Sequence, residues 1–201
     1  MVDSIAPRQG VPDDPRRRAL LDSAMSVFAR HGYRKTSMDE VARAAQISRQ
    51  GLYLHFSAKE ELFRAAVQHL LEGALRAATS VLNDASLALD ARLVRALDEV
   101  FGRFAGKAHP DALDLAEASR ELLGTMVEDH EGLFAEAIAR TLRASRSMAA
   151  YKPVGLTARQ LADTLIITAS GLKHRVATRE EFIKGITIAV RAMCLPLLEV
   201  P

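Results

Sequence analysis

Two closely spaced helix starts within residues 36–63 constrain the fold of this chain more than any other feature of its sequence. Ser37 is followed three positions later by Glu40, and this capping-box pattern predicts a helix that begins directly after the serine. Ser48 suits the N-cap of a second short helix that should end near His55. Only a short turn separates the two helices, and this arrangement is the helix-turn-helix.

The apolar residues of the second helix determine which of its faces points outward. Leu52 and Phe56 are four positions apart, share one face and should anchor the helix to a core. The remaining surface carries Arg and Gln, which can pair with guanine and adenine in the major groove of DNA. It also carries a glycine that lets the backbone come close to the bases. The predicted base-contacting positions are Arg49, Gln50, Gly51 and, in part, His55.

A further set of residues suits the phosphate backbone of DNA. Hydroxyl and ammonium groups bind phosphate oxygens, and such contacts fix the register of a protein on DNA without reading its sequence. The two helix N-termini add a favourable field for phosphate. The predicted phosphate contacts are Thr36, Ser37, Ser48, Tyr53 and Lys59. Each residue alone also fits a solvated face, a simple cap or a core position, so the prediction depends on their occurrence together.

This window and the residues before it resemble the DNA-binding domain of the TetR family of transcriptional regulators. The matching segments are 18–33, Thr36-Ser37-Met38, Ile47-Ser48, Leu52-Tyr53-Leu54-His55-Phe56 and Lys59-Glu60-Glu61-Leu62. The resemblance implies a helix-turn-helix DNA-binding domain over residues 15–64 and a helical effector-binding and dimerisation domain over residues 65–201. Gln46 departs from the family pattern, which has Gly in the turn. A Gly there often adopts a left-handed backbone conformation, which is less favourable for Gln. Ile47, which closes the turn, is expected to point inward.

Composition favours a helical protein without a disulfide framework. The chain of 201 residues contains one cysteine, Cys194, which we interpret as a small apolar core residue. It has no apolar run long enough to cross a bilayer, and we expect it in the cytoplasm. Residues 1–14 are rich in Pro, Asp and Gly and are predicted to be a disordered arm. The arginines at 16–18 either reach phosphate or the minor groove, or form a solvated first turn.

The remaining sequence predicts helices and shows no convincing strand alternation, which makes the chain all-α with about nine helices. The expected spans are 58–82, 89–106, a helix opened by His109-Pro110-Asp111 and ending near Gly124, 128–148, 157–174 and 178–195. Further capping boxes are expected where Ser or Thr precedes Glu or Gln by three positions. These pairs are Ser57 with Glu60, Thr157 with Gln160 and Thr178 with Glu181.

The last two helices are predicted to form a dimer interface, with packing inside one chain as the alternative. The predicted interface residues are Leu161, Leu165, Thr168, Ala169, Leu172, Phe182, Ile186, Ala189, Val190 and Met193. Gly185 is small and permits close approach of two helices. The resemblance implies a homodimer paired through a four-helix bundle. Its two recognition helices would then lie about 34–36 Å apart on a near-palindromic operator.

The middle of the C-terminal half is the predicted effector site, although apolar residues at helical spacing also fit a simple core. The candidate lining residues are Phe101, Phe104, Leu122, Met126, Phe134, Ile138, Leu142, Met148 and Tyr151. The resemblance implies a small, often hydrophobic effector that releases the protein from DNA, while some family members have none. Repression is the family's usual output, and activation stays open.

An enzyme is the main alternative class, and the sequence offers little for it. The six His residues are scattered and form no His-Glu-x-x-His metal motif. The sequence contains neither a Gly-rich phosphate loop nor a Gly-x-Ser-x-Gly elbow. We therefore expect no catalytic residue, no metal and no cofactor. A helical protein-interaction module that has lost DNA binding is a second alternative, and the exposed polar set around Arg49 argues against it.

Overall fold

The computed structural model describes residues 14–106, 112–145 and 147–194. Over these residues the chain forms ten α-helices, two short 3₁₀ turns and no strand. The helices are α1 (Pro15–His31), α2 (Met38–Ala44), α3 (Arg49–His55), α4 (Lys59–Asn83), α5 (Leu89–Val100), α6 (Ala112–Leu122), α7 (Met126–Ala144), α8 (Met148–Tyr151), α9 (Ala158–Lys173) and α10 (Arg179–Cys194); the 3₁₀ turns are Gly102–Phe104 and Lys152–Val154. The prediction of an all-α chain is confirmed, with an N-terminal helix-turn-helix followed by further helices.

Two helices end earlier than the sequence predicts. The helix expected over 89–106 ends at Val100, where a 3₁₀ turn follows and Gly106 takes a left-handed backbone with φ +70°. The helix expected to continue to position 148 ends at Ala144, because the following serine is extended. Residues 148–151 therefore form a separate helix, which brings the described α-helices to ten.

Two predicted features lie at or beyond the limits of the described residues. The disordered arm expected over residues 1–14 lies outside them, apart from its last residue, Asp14. That carboxylate caps α1 by accepting a hydrogen bond from the backbone N–H of Arg16 at 2.9 Å. The helix start expected at His109-Pro110-Asp111 also lies outside the described residues.

Contacts divide the chain into two compact units, Met1–His69 and Leu70–Pro201. In the first unit, α1 packs on the beginning of α4 through an aromatic cluster. The rings of Phe28 and Phe63 meet edge to face with centroids 5.1 Å apart, and the Tyr33 ring lies 5.0 Å from that of Phe63. Such pairs contribute about 0.5–1.5 kcal/mol beyond the burial of their area. Other buried residues are Leu20, Leu21, Ala24, Met38, Val41, Ala42, Leu52, Phe56, Leu62, Ala66 and Val67.

The predicted capping box at the start of α2 is present. The backbone N–H of Glu40 donates to the Ser37 hydroxyl at 3.3 Å, and the N–H of Ser37 donates to the Glu40 carboxylate at 2.8 Å. Hydrogen bonds from the Ser37 backbone and then from its side chain hold the pKa of Glu40 below its usual value. At the start of α4 the prediction was wrong about the partner, because the N–H of Ser57 donates to Glu61 rather than to Glu60.

The two later capping boxes differ in their outcome. The box of Thr157 with Gln160 is confirmed, with both reciprocal hydrogen bonds present at the start of α9. At the start of α10 only half of the expected box is formed. The N–H of Glu181 donates to the Thr178 hydroxyl at 3.1 Å, but the Glu181 carboxylate accepts its hydrogen bond from the N–H of Ala177.

The second unit is built around α5, α7, α9 and α10. Its largest fully buried side chains are Leu82, Leu93, Leu97, Phe134, Ile138, Leu142, Leu165 and Phe182. Helices α9 and α10 approach closely at Gly185, where a Cβ would lie 2.7 Å from a methyl of Leu172. A bidentate ion pair joins α10 to α5, with Arg179 Nε 2.8 Å from Asp98 Oδ1 and Nη2 2.6 Å from Oδ2. This pair raises the pKa of Arg179.

The described residues contain neither a membrane-spanning helix nor a metal site. None of them combines the length and apolar character needed to cross a membrane. Across the described ranges, no group of three or more His, Cys, Asp or Glu side chains has a geometry that would hold a metal ion. The polar groups of interest are instead concentrated around α2 and α3.

Candidate DNA-binding surface

Helix α3 is attached to the first unit by its apolar side and exposes its other side. Leu52 is fully buried, and Phe56, just after the helix, is 2% exposed. The Ser48 hydroxyl caps the helix by accepting the N–H of Gly51 at 2.9 Å. The exposed residues of α3 are Arg49, Gln50, Tyr53, Leu54 and His55. The structure therefore exposes the predicted base-contacting side chains of Arg49, Gln50 and His55 to solvent, while Gly51 is half-buried.

The turn between α2 and α3 contains a residue in the left-handed conformation, although glutamine adopts it less readily than glycine. Gln46 has φ 56° and is the one described residue other than glycine with a positive φ. Its N–H donates to the carbonyl of Arg43 at 3.2 Å, and the N–H of Ile47 donates to Ala42 at 3.0 Å. A left-handed conformation costs an ordinary residue about 1–2 kcal/mol. Ile47 was expected to point inward but is 36% exposed.

The Arg49 side chain has two partners in the free protein. Its Nη1 lies 3.1 Å from Oδ2 of Asp39 in the first turn of α2. Its guanidinium carbon lies 5.6 Å from the centre of the Tyr53 ring, within cation–π range. Tyr53, which was predicted to contact phosphate, is 43% exposed. Arg49 is thus positioned between a carboxylate and an aromatic ring on the exposed side of α3.

The Lys59 ammonium lies within the loop that connects α1 to α2. Its Nζ donates to the carbonyls of Tyr33, Arg34 and Thr36 at 2.9, 3.2 and 3.0 Å. It also lies 4.5 Å from the centre of the Tyr33 ring. An ammonium group has three donors, and these contacts use all of them. In this structure Lys59 therefore organises the loop over residues 32–36 instead of presenting its charge to phosphate.

The other predicted phosphate contacts are placed differently from one another. Thr36 is 2% exposed, and its hydroxyl donates to the carbonyl of Gly32 at 2.7 Å, so this hydroxyl belongs to the same loop. Ser37 and Ser48 are exposed and act as helix caps. Burial raises the pKa of the Tyr33 phenol, whose ring lies beside Phe63 and Lys59, and the charge of Glu60 adds to this effect.

Leu54 is a prominent exposed residue that the sequence analysis did not select. It is 82% exposed, although leucine is apolar. It follows Leu52 by two positions, which places it about 200° around the helix and away from the buried side. An apolar side chain on this face can contact the methyl group of thymine. The signal was present in the sequence, because Leu54 is out of register with the buried pair of Leu52 and Phe56.

Residues 20–66 match the model of a family described as bacterial regulatory proteins, tetR family. Over these residues the chain belongs to the TetR family. The HTH-type transcriptional activator FasR of Mycolicibacterium smegmatis is 47% identical over 58 residues, which are 29% of this chain and 26% of that protein. The HTH-type transcriptional regulator YfiR of Bacillus subtilis is 40% identical over 63 residues, 31% of each chain. The match therefore covers less than a third of the length of these curated relatives.

Solved structures extend the likeness of this chain to known proteins beyond its N-terminal unit. A TetR-like transcriptional regulator from Rhodococcus sp. RHA1 has a TM-score of 0.61 and 27% identity, and the match covers 96% of this chain and 100% of that one. A TetR transcriptional regulator from Legionella pneumophila has a TM-score of 0.67 at 17% identity, over 90% of this chain and 98% of that one. The second likeness shows a common fold and no more.

Most residues that were predicted to pair this chain with a second copy lie inside its own core. The buried ones are Leu161, Leu165, Ala169, Phe182, Ile186 and Val190; Leu172, Ala189 and Met193 are half-buried, and Thr168 is exposed. The cause is that the most apolar stripe of each helix packs within the second unit, against α5 and α7 in particular. The solvent-exposed face of α9 and α10 is therefore a different one, except at Thr168.

That open face, which we call the α9/α10 outer face, carries two large apolar side chains. Ile167 on α9 is 72% exposed and Ile188 on α10 is 70% exposed. On α9 the exposed positions Thr164, Ile167, Thr168 and Gly171 follow helical spacing. The two threonine hydroxyls donate to carbonyls of their own helix at 2.8 Å. This face therefore combines large apolar side chains with threonine hydroxyls that are already hydrogen-bonded to backbone carbonyls.

The predicted effector residues are also mainly core residues. Phe101, Phe134, Ile138 and Leu142 are buried, Phe104 is 40% exposed, and Leu122, Met126, Met148 and Tyr151 are half-buried. The rings of Phe101 and Phe134 have centroids 6.3 Å apart. The Tyr151 hydroxyl donates to the carbonyl of Met193. A cavity of about 380 Å³ occurs elsewhere, in the first unit, lined by Asp22, Ser23, Ser26, Val27, Arg30, His31 and Ala44.

A half-buried cation borders the predicted effector residues and was missed from the sequence. The Lys173 ammonium lies 5.3 Å from the centre of the Phe101 ring. Burial lowers the pKa of Lys173, and the charge of Glu131 opposes that shift. Lys173 is at the end of α9, far from Phe101 in sequence, so only the packing of the helices brings the two side chains together.

Proposed function

We propose that this protein is a dimeric transcriptional repressor that binds a near-palindromic operator through the helix Ser48–His55. The exposed surface of α3 is the observation that carries the proposal, because it presents Arg49 and Gln50 while Leu52 anchors the helix. Arg pairs bidentately with guanine and Gln with adenine. The surface also lies within the segment that matches the TetR family. Tyr53 and the helix caps then contact phosphate, and Leu54 adds an apolar contact.

The two domains that we propose are the ones predicted from the sequence. We propose that residues 15–64 form the DNA-binding domain and that residues 65–201 carry effector binding and dimerisation. The change from one compact unit to the other after His69 supports this division. The related FasR is named as an activator, and a probable acrEF/envCD operon repressor of Escherichia coli is 40% identical over 47 residues. We favour repression because blocking a promoter requires no contact surface beyond the DNA-binding one.

Dimerisation is proposed through the α9/α10 outer face, which replaces the buried stripe predicted from sequence. Two exposed isoleucines and partnered hydroxyls support this choice. Two-fold pairing would present two α3 helices to successive major grooves, about 34–36 Å apart. An isologous interface of this kind makes the operator near-palindromic.

The effector is proposed to be a small, largely apolar molecule that binds among the aromatic residues of the second unit. The pair of Phe101 and Phe134, with Lys173 beside it, supports this location. Such a ligand releases DNA only if it binds the two conformational states of the protein with different affinities.

We place the protein in the cytoplasm, with its DNA, and assign it no catalytic residue, metal or cofactor. Relatives named as regulators favour this class over an enzyme.

Arg49→Ala is expected to weaken operator binding by about 1–3 kcal/mol and to relax the base preference at one position. The reason is the loss of a bidentate pair with guanine, which leaves the other contacts intact. The operator is first selected from a random duplex library with the full-length protein. Fluorescence anisotropy then measures binding to that operator and to versions with each base pair replaced.

Arg76→Ala is the matched control for this substitution. The side chain of Arg76 is 64% exposed and that of Arg49 is 66% exposed, but Arg76 lies in the second unit. We expect Arg76→Ala to leave affinity and base preference unchanged. If Arg49→Ala also leaves the base preference unchanged, α3 is not the base-reading helix. If no duplex is selected by the wild-type protein, DNA binding itself is contradicted.

Lys59→Ala is expected to lower the free energy of unfolding by about 1–3 kcal/mol, because three backbone carbonyls lose a charged donor. Binding to all DNA sequences should weaken, since the loop before α2 is no longer held. The dependence of log K on log salt should keep its slope, whereas loss of a phosphate contact would reduce the slope by about 0.9. Thermal unfolding and salt titrations measure the two effects. Lys184→Ala, at an exposed position of α10, is the control. A stable Lys59→Ala variant with a reduced slope would instead establish direct phosphate contact.

A further inference from the structure

The guanidinium of Arg49 is oriented by a carboxylate on another helix before any DNA is bound. Asp39 Oδ2 lies 3.1 Å from Arg49 Nη1, and the Tyr53 ring lies against the same guanidinium at 5.6 Å. The Asp39 and Arg49 side chains are 50% and 66% exposed, so the pair is at the surface where DNA would approach. Only one Arg nitrogen is engaged by Asp39, and the remaining N–H groups of the guanidinium stay available to base acceptors.

The carboxylate is attached to a well-held element. Asp39 is in the first turn of α2, which is capped by Ser37 and Glu40. Met38 and Val41 on either side of it are buried, which anchors this turn to the core of the first unit. The position of the Asp39 carboxylate is therefore determined by α2, and the contact transfers that position to the long and otherwise flexible Arg49 side chain.

The charge of Asp39 also bears on what Arg49 can bind. An exposed arginine next to DNA is attracted to any phosphate, and that attraction carries no sequence information. A carboxylate 3.1 Å away neutralises much of this local charge and repels phosphate oxygens. The guanine acceptors N7 and O6 carry no full charge, so they are penalised less. The ion pair should thus lower binding to phosphate more than binding to guanine.

We propose that Asp39 is a positioning residue that sets the base specificity of Arg49, by orienting its guanidinium and by disfavouring its contacts with phosphate. This inference rests on the proposed function of α3. The simpler role for Asp39 is to stabilise the N-terminus of α2 through the helix dipole. That role would not depend on Arg49, and this difference makes the two roles separable by experiment.

The test is a double-mutant cycle on the full-length protein with Asp39→Asn, Arg49→Ala and the combined variant. Each protein is titrated by anisotropy with the selected operator, with the operator changed at the position that depends on Arg49, and with an unrelated duplex. Asp39→Asn should reduce discrimination between the first two duplexes about two- to fivefold, the range expected for an exposed ion pair. Binding to the unrelated duplex should become tighter, with a salt slope steeper by about 0.9. Asp39→Glu should restore part of the discrimination.

The Arg49→Ala background decides the outcome. There, Asp39→Asn should leave discrimination unchanged, because the side chain through which it acts is gone. An equal loss of affinity for all three duplexes in both backgrounds would overturn the proposal and assign Asp39 to the stability of α2. Unchanged discrimination on Asp39→Asn alone would also overturn it. If Arg49→Ala by itself has no effect on base preference, the proposed function of α3 fails, which is a different result from failure of the Asp39 role. Circular dichroism confirms that each variant is folded.

Discussion

Replacing Ile188 by Glu is expected to convert the protein into a monomer and to weaken operator binding by about 10²–10⁴-fold, the loss that follows when two linked contacts become one. Ile188 is 70% exposed on α10, and Ile167 on the adjacent helix is 72% exposed. In a two-fold dimer the new carboxylates would be desolvated on both copies without a partner, and burial of an unpaired charge is strongly unfavourable. Analytical ultracentrifugation measures the oligomeric state, and anisotropy measures operator affinity.

Leu133→Glu is the matched control. Leu133 is also a large apolar residue, 57% exposed, but it lies on α7 rather than on α9 or α10. We expect Leu133→Glu to leave both the oligomeric state and operator affinity unchanged. A dimeric Ile188→Glu variant would show that the interface lies on another face. A monomeric variant with full operator affinity would contradict the proposal that two copies read the operator together.

Gly106→Ala is expected to lower the free energy of unfolding by about 2–5 kcal/mol through strain and overlap together. Gly106 has φ +70°, a conformation that alanine adopts only with strain. A Cβ at this position would also overlap the backbone carbonyl of Ala177, between α9 and α10. Backbone atoms cannot move aside as a flexible side chain can. Thermal unfolding should show a decrease in Tm of roughly 4–20 °C, given about 2–4 °C per kcal/mol for a protein of this size.

Gly155→Ala separates the two causes. Gly155 has the same φ of +70°, but nothing lies within 4 Å of an added Cβ. Its substitution should therefore show the strain alone, about 1–2 kcal/mol. Equal destabilisation by both substitutions would mean that the contact of Gly106 with Ala177 is unimportant for stability. Refolding both variants after heating checks that the transitions are reversible.

Local signals in the sequence predicted local structure well. The pairs Ser37 with Glu40 and Thr157 with Gln160 form the capping boxes that were expected, because both partners lie within one helical turn. The choice between Glu60 and Glu61 as partner of Ser57 was not determined in the same way. Both carboxylates are within reach of the serine, and their rotamers depend on the neighbouring helices.

Contacts between distant residues were not predictable from the same patterns. Lys59 was expected to bind phosphate because its charge and its position near a helix start suit that role. In the folded chain its carbonyl partners lie 23–26 positions earlier, and no periodicity or cap reports such a pairing. The contact between Asp39 and Arg49 spans ten positions and two helices, and it was equally invisible.

The sequence alone determined the described α-helices other than α8, as well as the exposed side of α3. Caps, apolar spacing and the left-handed Gln46 act within a turn or two, so a single chain segment contains the information. Which apolar stripe of α9 and α10 is buried was decided only by the tertiary structure. Spacing shows that a face is apolar but not what covers it, and the stripe taken for an interface is covered by this chain's own helices. The orientations of the Arg49 and Lys59 side chains were also decided only by the tertiary structure, because folding brings their carboxylate and carbonyl partners close.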